Sequence, residues 1–97
     1  MLEITIFSLV RDDDAAVAAF LEADTRLQTG FAYRQPGLVR RTTARGEGGR
    51  WTVVTLWSGS ADADRAAGAA LTDPSVAAFD AFVDPAGRST ERFTPLP

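Results

Sequence analysis

An α+β fold, with a four-stranded antiparallel sheet and helices packed on one side of it, is what this sequence predicts. Three observations carry that expectation. The stretch Arg50-Trp51-Thr52-Val53-Val54-Thr55-Leu56-Trp57 is rich in β-branched and aromatic residues and apolar in both alternating phases, as suits a central strand covered above and below. Leu2 to Val10 shows the same two-sided pattern. Around these strands lie segments with apolar residues at helical spacing, set off by Asp, Pro and Gly.

The first strand sets Leu2, Ile4 and Ile6 against Thr5, Phe7 and Leu9. Arg11-Asp12-Asp13-Asp14 stops it and offers an N-cap, with acidic residues where they complement the helix dipole. A helix follows from about Asp14 to about Tyr33, with an apolar stripe of Val17, Phe20, Leu21, Leu27 and Phe31. Gln35-Pro36-Gly37 ends it, because Pro36 biases Gln35 away from helical dihedrals and Gly37 releases the turn. Leu38 to Arg45, of mixed polarity, suits an edge strand. Gly46-Glu47-Gly48-Gly49 supplies the positive-φ positions of a hairpin into the Trp51–Trp57 strand.

Ser60 is the expected cap of a second helix, with Asp62 and Asp64 in its first turn and small residues from Ala66 to Leu71. Asp73-Pro74 restarts the helical run, with Asp as N-cap and Pro at the first helical position, and Val76, Phe79, Phe82 and Val83 as its buried stripe. Asp84-Pro85-Ala86-Gly87 breaks it before a last strand, Arg88 to Thr94. The order β-α-β-β-α-α-β, with right-handed crossovers, gives the split βαβ or ferredoxin-like arrangement.

Helices on one face leave the other face bare, yet both central strands are apolar on both sides. Apolar surface is worth about 25 cal/mol per Å² when buried, so the bare face calls for a cover. A second copy, packed sheet to sheet in a symmetric dimer, supplies it. Phe7 and Leu9 fall with Val54 and Leu56 in the phases opposite to Ile4, Ile6 and Trp57. With Trp57 toward the helices, Val54 and Leu56 turn to the partner.

The 97 residues make one domain spanning 1–97, with no repeat or linker. At 45% apolar and 24% charged residues the composition is that of an ordinary folded chain. No apolar run approaches the roughly 20 residues of a membrane span, and Met1-Leu2-Glu3-Ile4 lacks the basic start of a signal peptide, so a cytoplasmic location is expected. The chain has no cysteine, histidine or lysine, which excludes a thiol nucleophile, the commonest metal and haem ligand, and Schiff-base chemistry. A net charge of −3 argues against nucleic acid as a partner, and Arg40, Arg41 and Arg45 are expected as a solvated strand face or as ion-pair donors. Neither a metal nor a cofactor is expected.

Gln35-Pro36-Gly37-Leu38, Trp51 through Ser58, Ser60-Ala61-Asp62-Ala63-Asp64 and Asp73 through Phe79 give the chain a resemblance along nearly its whole length. It resembles the dimeric α/β-barrel proteins of the antibiotic biosynthesis monooxygenase-like superfamily. That resemblance implies the barrel dimer and a pocket between the helices and the helix-facing side of the sheet. Members include cofactor-independent oxygenases of polyphenolic compounds, haem-degrading enzymes and many proteins with no known reaction, and some carry a pocket Trp where Trp57 stands. The haem-degrading ligand set is missing: the last helix shows Phe79-Asp80-Ala81-Phe82 in place of a His, and the first strand offers only Thr5 and Ser8. Oxygenase relatives surround the Trp with hydrogen-bonding groups, whereas here only Thr55, among Thr55, Val53 and Trp51, brings a hydroxyl.

Asp24 and Gln28, at i and i+4 on the stripe of the first helix, are the candidate catalytic pair, because a carboxylate on a core-facing stripe is costly unless compensated. Two readings stand for Asp24. It is a general base with Gln28 orienting the substrate, or it is the ion-pair partner of an Arg from the second strand, Arg40 being the one expected. Trp57 and Trp51 either stack on a ligand or fill space, and Phe20, Phe31 and Phe79 are core or pocket wall. The expected substrate-binding set is Trp57, Thr55, Arg40, Phe20, Phe31 and Phe79, around a small aromatic ligand. Function divides between a cofactor-free monooxygenase and a non-catalytic homodimer that binds a ligand or serves as scaffold. An open cavity with Asp24 and Gln28 converging on it favours the first; a packed interior with Asp24 satisfied by Arg40 favours the second.

Overall fold

Strand β1 (Leu2–Ser8), helix α1 (Asp14–Gly30), strands β2 (Leu38–Arg45) and β3 (Arg50–Trp57), helices α2 (Ser60–Ala70) and α3 (Pro74–Asp80) and strand β4 (Ser89–Phe93) follow one another in a computed structural model that describes residues 1–97. The order is the expected one. The strands form one antiparallel sheet in the sequence β2-β3-β1-β4, an α+β ferredoxin-like fold with β3 and β1 at its centre.

Local chemistry explains the boundaries. Asp13 caps α1 by accepting from the backbone N–H of Ala16, and that hydrogen bond above all holds its carboxyl below the ordinary range. The expected run to Tyr33 stops at Gly30, and Ala32–Arg34 forms a separate 3₁₀ turn. Asp73 caps α3 through the Ser75 and Val76 N–H groups, with Pro74 at the first helical position. Gly59, not Ser60, is the N-cap residue of α2, and no side chain caps that helix. Phe82 and Val83 lie beyond α3; Val83 is buried through an isolated bridge to Leu9. Gly37 adopts φ +83°, and any Cβ there would collide with the side chain of Asp62, so only glycine lets β2 start under α2.

The core lies between the sheet and the helices. Phe20 is fully buried and meets Phe7, Trp51, Phe79 and Phe82 in edge-on or tilted contacts, with ring centroids 5.0 to 6.3 Å apart. Val17, Ala23, Leu27 and Phe31 complete the buried side of α1; Leu21, expected on that stripe, is 44% exposed, and the small Ala23 takes the inward place.

Two orientations differ from expectation. Phe7 pairs with Trp51, and Ile4 and Ile6 pair with Val54 and Thr52. Residues opposite one another in a ladder share a face. Phe7 and Leu9 are therefore core residues, and Leu2, Ile4 and Ile6 join Val54 and Leu56 on the side away from the helices. Both phases of β1 are apolar, so alternation alone did not distinguish them. In β2 the register slips between Leu38 and Arg40, leaving Val39 as an extra residue that is mostly exposed. The bulge reverses the phase, so that Leu38 and Arg41, opposite Trp57 and Thr55, face the helices together. Arg40 pairs with Leu56 and is exposed on the far face.

Candidate functional site

At the Trp57 end of β3 the space between sheet and helices is not filled. A cavity of about 190 Å³, open at one side, lies among β1, β2, β3 and the three helices. Helix α2 leaves the room: it presents Ala63, Ala66, Ala67 and Ala70, at i, i+3, i+4 and i+7, where larger side chains would close the gap. Leu27, Phe31 and Phe79 form apolar wall, and the sheet contributes Thr55, Trp57 and Arg41. Glu3, Asp80 and Arg88 also reach the cavity. These acids are paired, Asp80 with Arg88 at 3.0 Å and Glu3 with Arg92 at 3.0 Å. Arg92 also bridges to Asp64 at 2.7 Å, and the two carboxylates, Asp64 foremost, raise its pKa above the usual arginine value.

Two features of the sheet wall stand out. The indole of Trp57 is 7% exposed, and its buried Nε1–H has no hydrogen-bond partner. A buried donor without an acceptor costs about 1–3 kcal/mol, and the cavity does not open onto this one. The second feature is a polar cluster behind the wall. Arg41 donates from Nη2 to Oδ1 of Asp24 at 2.8 Å and from Nη1 to Oε1 of Gln28 at 3.2 Å and Oγ1 of Thr43 at 3.3 Å. The Thr43 hydroxyl donates to the same Asp24 oxygen at 2.9 Å.

The expected site residues thus divide. Trp57, Thr55, Phe31 and Phe79 line the cavity. Phe20 is central core and does not line this cavity. Asp24 and Gln28 stand side by side as the helical spacing requires, but behind Arg41 and outside the lining. The partner of Asp24 is Arg41 and not Arg40; the bulge at Val39 exchanges the two arginines between faces. Arg41 and the alanine row of α2 were not singled out as pocket residues. The alanine spacing is visible in the chain, whereas the bulge has no glycine or other local mark. No group of three or more Asp or Glu side chains is gathered as a metal site, and no helix is long and apolar enough to cross a membrane.

No protein-family model matches the chain, and no curated protein matches it. Solved structures do. SnoaB, a cofactor-independent oxygenase from Streptomyces nogalater, superposes with a TM-score of 0.74 at 22% identity, over 99% of this chain and 92% of that one. An antibiotic biosynthesis monooxygenase superposes with a TM-score of 0.74 at 13% identity, over 100% of both chains. This chain has the fold of the antibiotic biosynthesis monooxygenases. A dimeric ferredoxin-like protein of unknown function from Jannaschia sp. CCS1 shares it too, with a TM-score of 0.62 at 13% identity over 96% of this chain and 100% of that one.

Proposed function

We propose that the chain is a homodimeric, cofactor-independent oxygenase-like protein that takes a small aromatic or polyphenolic compound into the cavity beside Trp57. The observation that carries this reading is an open, mostly apolar cavity walled by the rings of Trp57, Phe31 and Phe79. Those three rings are fitting neighbours for an aromatic ligand. An apolar cavity of about 150 Å³ holds benzene. At about 190 Å³ this one suits one or two rings, and a longer polycycle would project through the opening.

Similarity in fold to SnoaB supports the reaction class. An electron-rich phenol or anthrone supplies the electrons itself. A ring CH₂ becomes a carbonyl by taking one atom of O₂, and the other leaves as water. The protein's part is to exclude water, orient the ring and hydrogen-bond the oxygen on which negative charge gathers. The test is oxygen uptake with anthrone under air. Uptake well above the protein-free rate, reduced in Trp57→Phe, is expected; uptake at the protein-free rate overturns the oxygenase reading. A non-catalytic ligand-binding role is favoured by the position of Asp24, which faces Arg41 and leaves the cavity interior without a free carboxylate base.

The dimer belongs to the same proposal. Leu2, Ile4, Ile6, Val54 and Leu56 form an apolar band on the face without helices, and none of them is buried in the single chain. An isologous contact between two such faces covers it, and the dimeric Jannaschia protein of the same fold supports this. Light scattering should give twice the chain mass at micromolar concentration, and Leu56→Asp should yield monomer or aggregate. A folded wild-type monomer would sink the dimer.

A further inference from the structure

We infer that Arg41 is the group that receives an ionised oxygen of the ligand, and that Asp24, Gln28 and Thr43 are positioning residues that hold its guanidinium in place. The inference deepens the proposed function and rests on its aromatic pocket. Arg41 is 7% exposed and reaches the cavity. A guanidinium carries five N–H donors and cannot shed its charge in a protein. Three of the five are satisfied from behind, by Asp24, Gln28 and Thr43. Nε and the second Nη2 hydrogen find no acceptor in the chain.

The arrangement is rigid. Asp24 Oδ1 accepts from both Arg41 and Thr43, and the guanidinium carbon lies 5.7 Å from the centre of the Phe79 ring, which is itself cavity wall. Fixed donors facing a low-dielectric cavity bind a localised negative charge without reorganising. Arg41 sits directly opposite Thr55 in the β2–β3 ladder, and Trp57 follows two residues on along the same face. The sheet wall thus offers a guanidinium and a hydroxyl side by side, next to the Trp57 ring. The acidic groups that reach the cavity, Glu3 and Asp80, are occupied by Arg92 and Arg88. Donors prevail inside, which suits a phenolate, enolate or carboxylate oxygen attached to an aromatic body.

Two probes of one shape isolate the charge: 2-naphthoate and its neutral amide, 2-naphthamide, titrated calorimetrically into the full chain and followed by tryptophan fluorescence. The wild type should bind the carboxylate about tenfold or more tightly than the amide. Arg41→Lys, which keeps charge without the planar fork, should retain part of that preference. Arg41→Met alone strands the Asp24 charge, so the double variant Asp24→Asn/Arg41→Met, which removes both charges, is the one compared. It should show no preference for the carboxylate over the amide. Equal affinity of the wild type for both probes, or a preference that survives in the double variant, overturns the role of Arg41 while leaving the aromatic pocket standing. Failure of the wild type to bind either probe overturns the pocket reading and this inference with it. The wild-type comparison depends on no variant folding.

Discussion

Trp51 and Trp57 lie on the same face of the same strand, are buried to nearly the same degree, and both keep an indole N–H without a partner. Their surroundings could hardly differ more. Trp51 meets the Phe20 ring edge-on at 5.0 Å and carries the Arg45 guanidinium 5.1 Å from its own ring centre, inside a filled aromatic core. Trp57 packs with Ala63 and Ala66, and the space beyond it is cavity. What separates the two ends is the helix above each. Phe20 and Val17 of α1 fill the Trp51 end, and the alanines of α2 leave the Trp57 end hollow. An unpartnered indole is therefore not in itself a sign of a ligand. What marks the Trp57 end is the cavity against its ring.

The filled end is the more sensitive to truncation. Phe20→Ala removes the ring at the centre of the cluster and should cost about 3–5 kcal/mol of unfolding free energy in denaturant titrations. Paired variants sharpen the contrast. Trp51→Phe should cost about 1–2 kcal/mol more than Trp57→Phe, since Trp51 sits in the large aromatic cluster and Trp57 in a small one of alanines beside the cavity. Equal losses would mean that the Trp57 end is as tightly packed as the other. At the hollow end, Ala66→Leu adds methylenes where there is room. Stability should stay within about 1 kcal/mol of wild type, while 2-naphthamide binding falls at least about tenfold.

The smallest effect lies outside both ends. The Ser75 hydroxyl, followed by the Val76 and Ser75 N–H groups, holds the Asp73 carboxyl below the ordinary range. A carboxylate lowered in the folded state stabilises the fold above its unfolded pKa of about 3.9, and that contribution is lost as pH falls through the folded value. Asp73→Asn should therefore shallow the acid limb of melting temperature against pH below about pH 4, and leave its slope near neutrality unchanged. A limb of unaltered steepness would remove Asp73 from the acid response.

The element order was legible because its punctuation is strong: Asp13, Gly37, the Gly48-Gly49 turn and Asp73-Pro74 each act where their chemistry says they should. The i, i+4 proximity of Asp24 and Gln28, and the need for an arginine opposite them, were legible too, because a carboxylate on a buried stripe demands a partner. Which arginine, and which face of β1 is core, were not. Both depend on cross-strand register, and register is decided by the whole sheet. The cavity was hidden for a different reason. It is made by alanines, whose side chains say little about the space they fail to occupy.

The slip at Val39 has a consequence for comparing this chain with others. On one side of the bulge odd and even positions exchange their meaning, so chain number ceases to be a reliable address within β2. An alignment that pairs arginines by sequence position alone would equate a pocket cation with a surface one whenever a relative lacks the extra residue. Homology in this strand has to be read by the ladder partner: the residue opposite Thr55 belongs to the cavity, and the one opposite Leu56 belongs to the far face, whatever their numbers. Deleting Val39 would make the pairing regular and leave Arg40 opposite Leu56 and Arg41 opposite Thr55, so the numbers would change while the faces stayed.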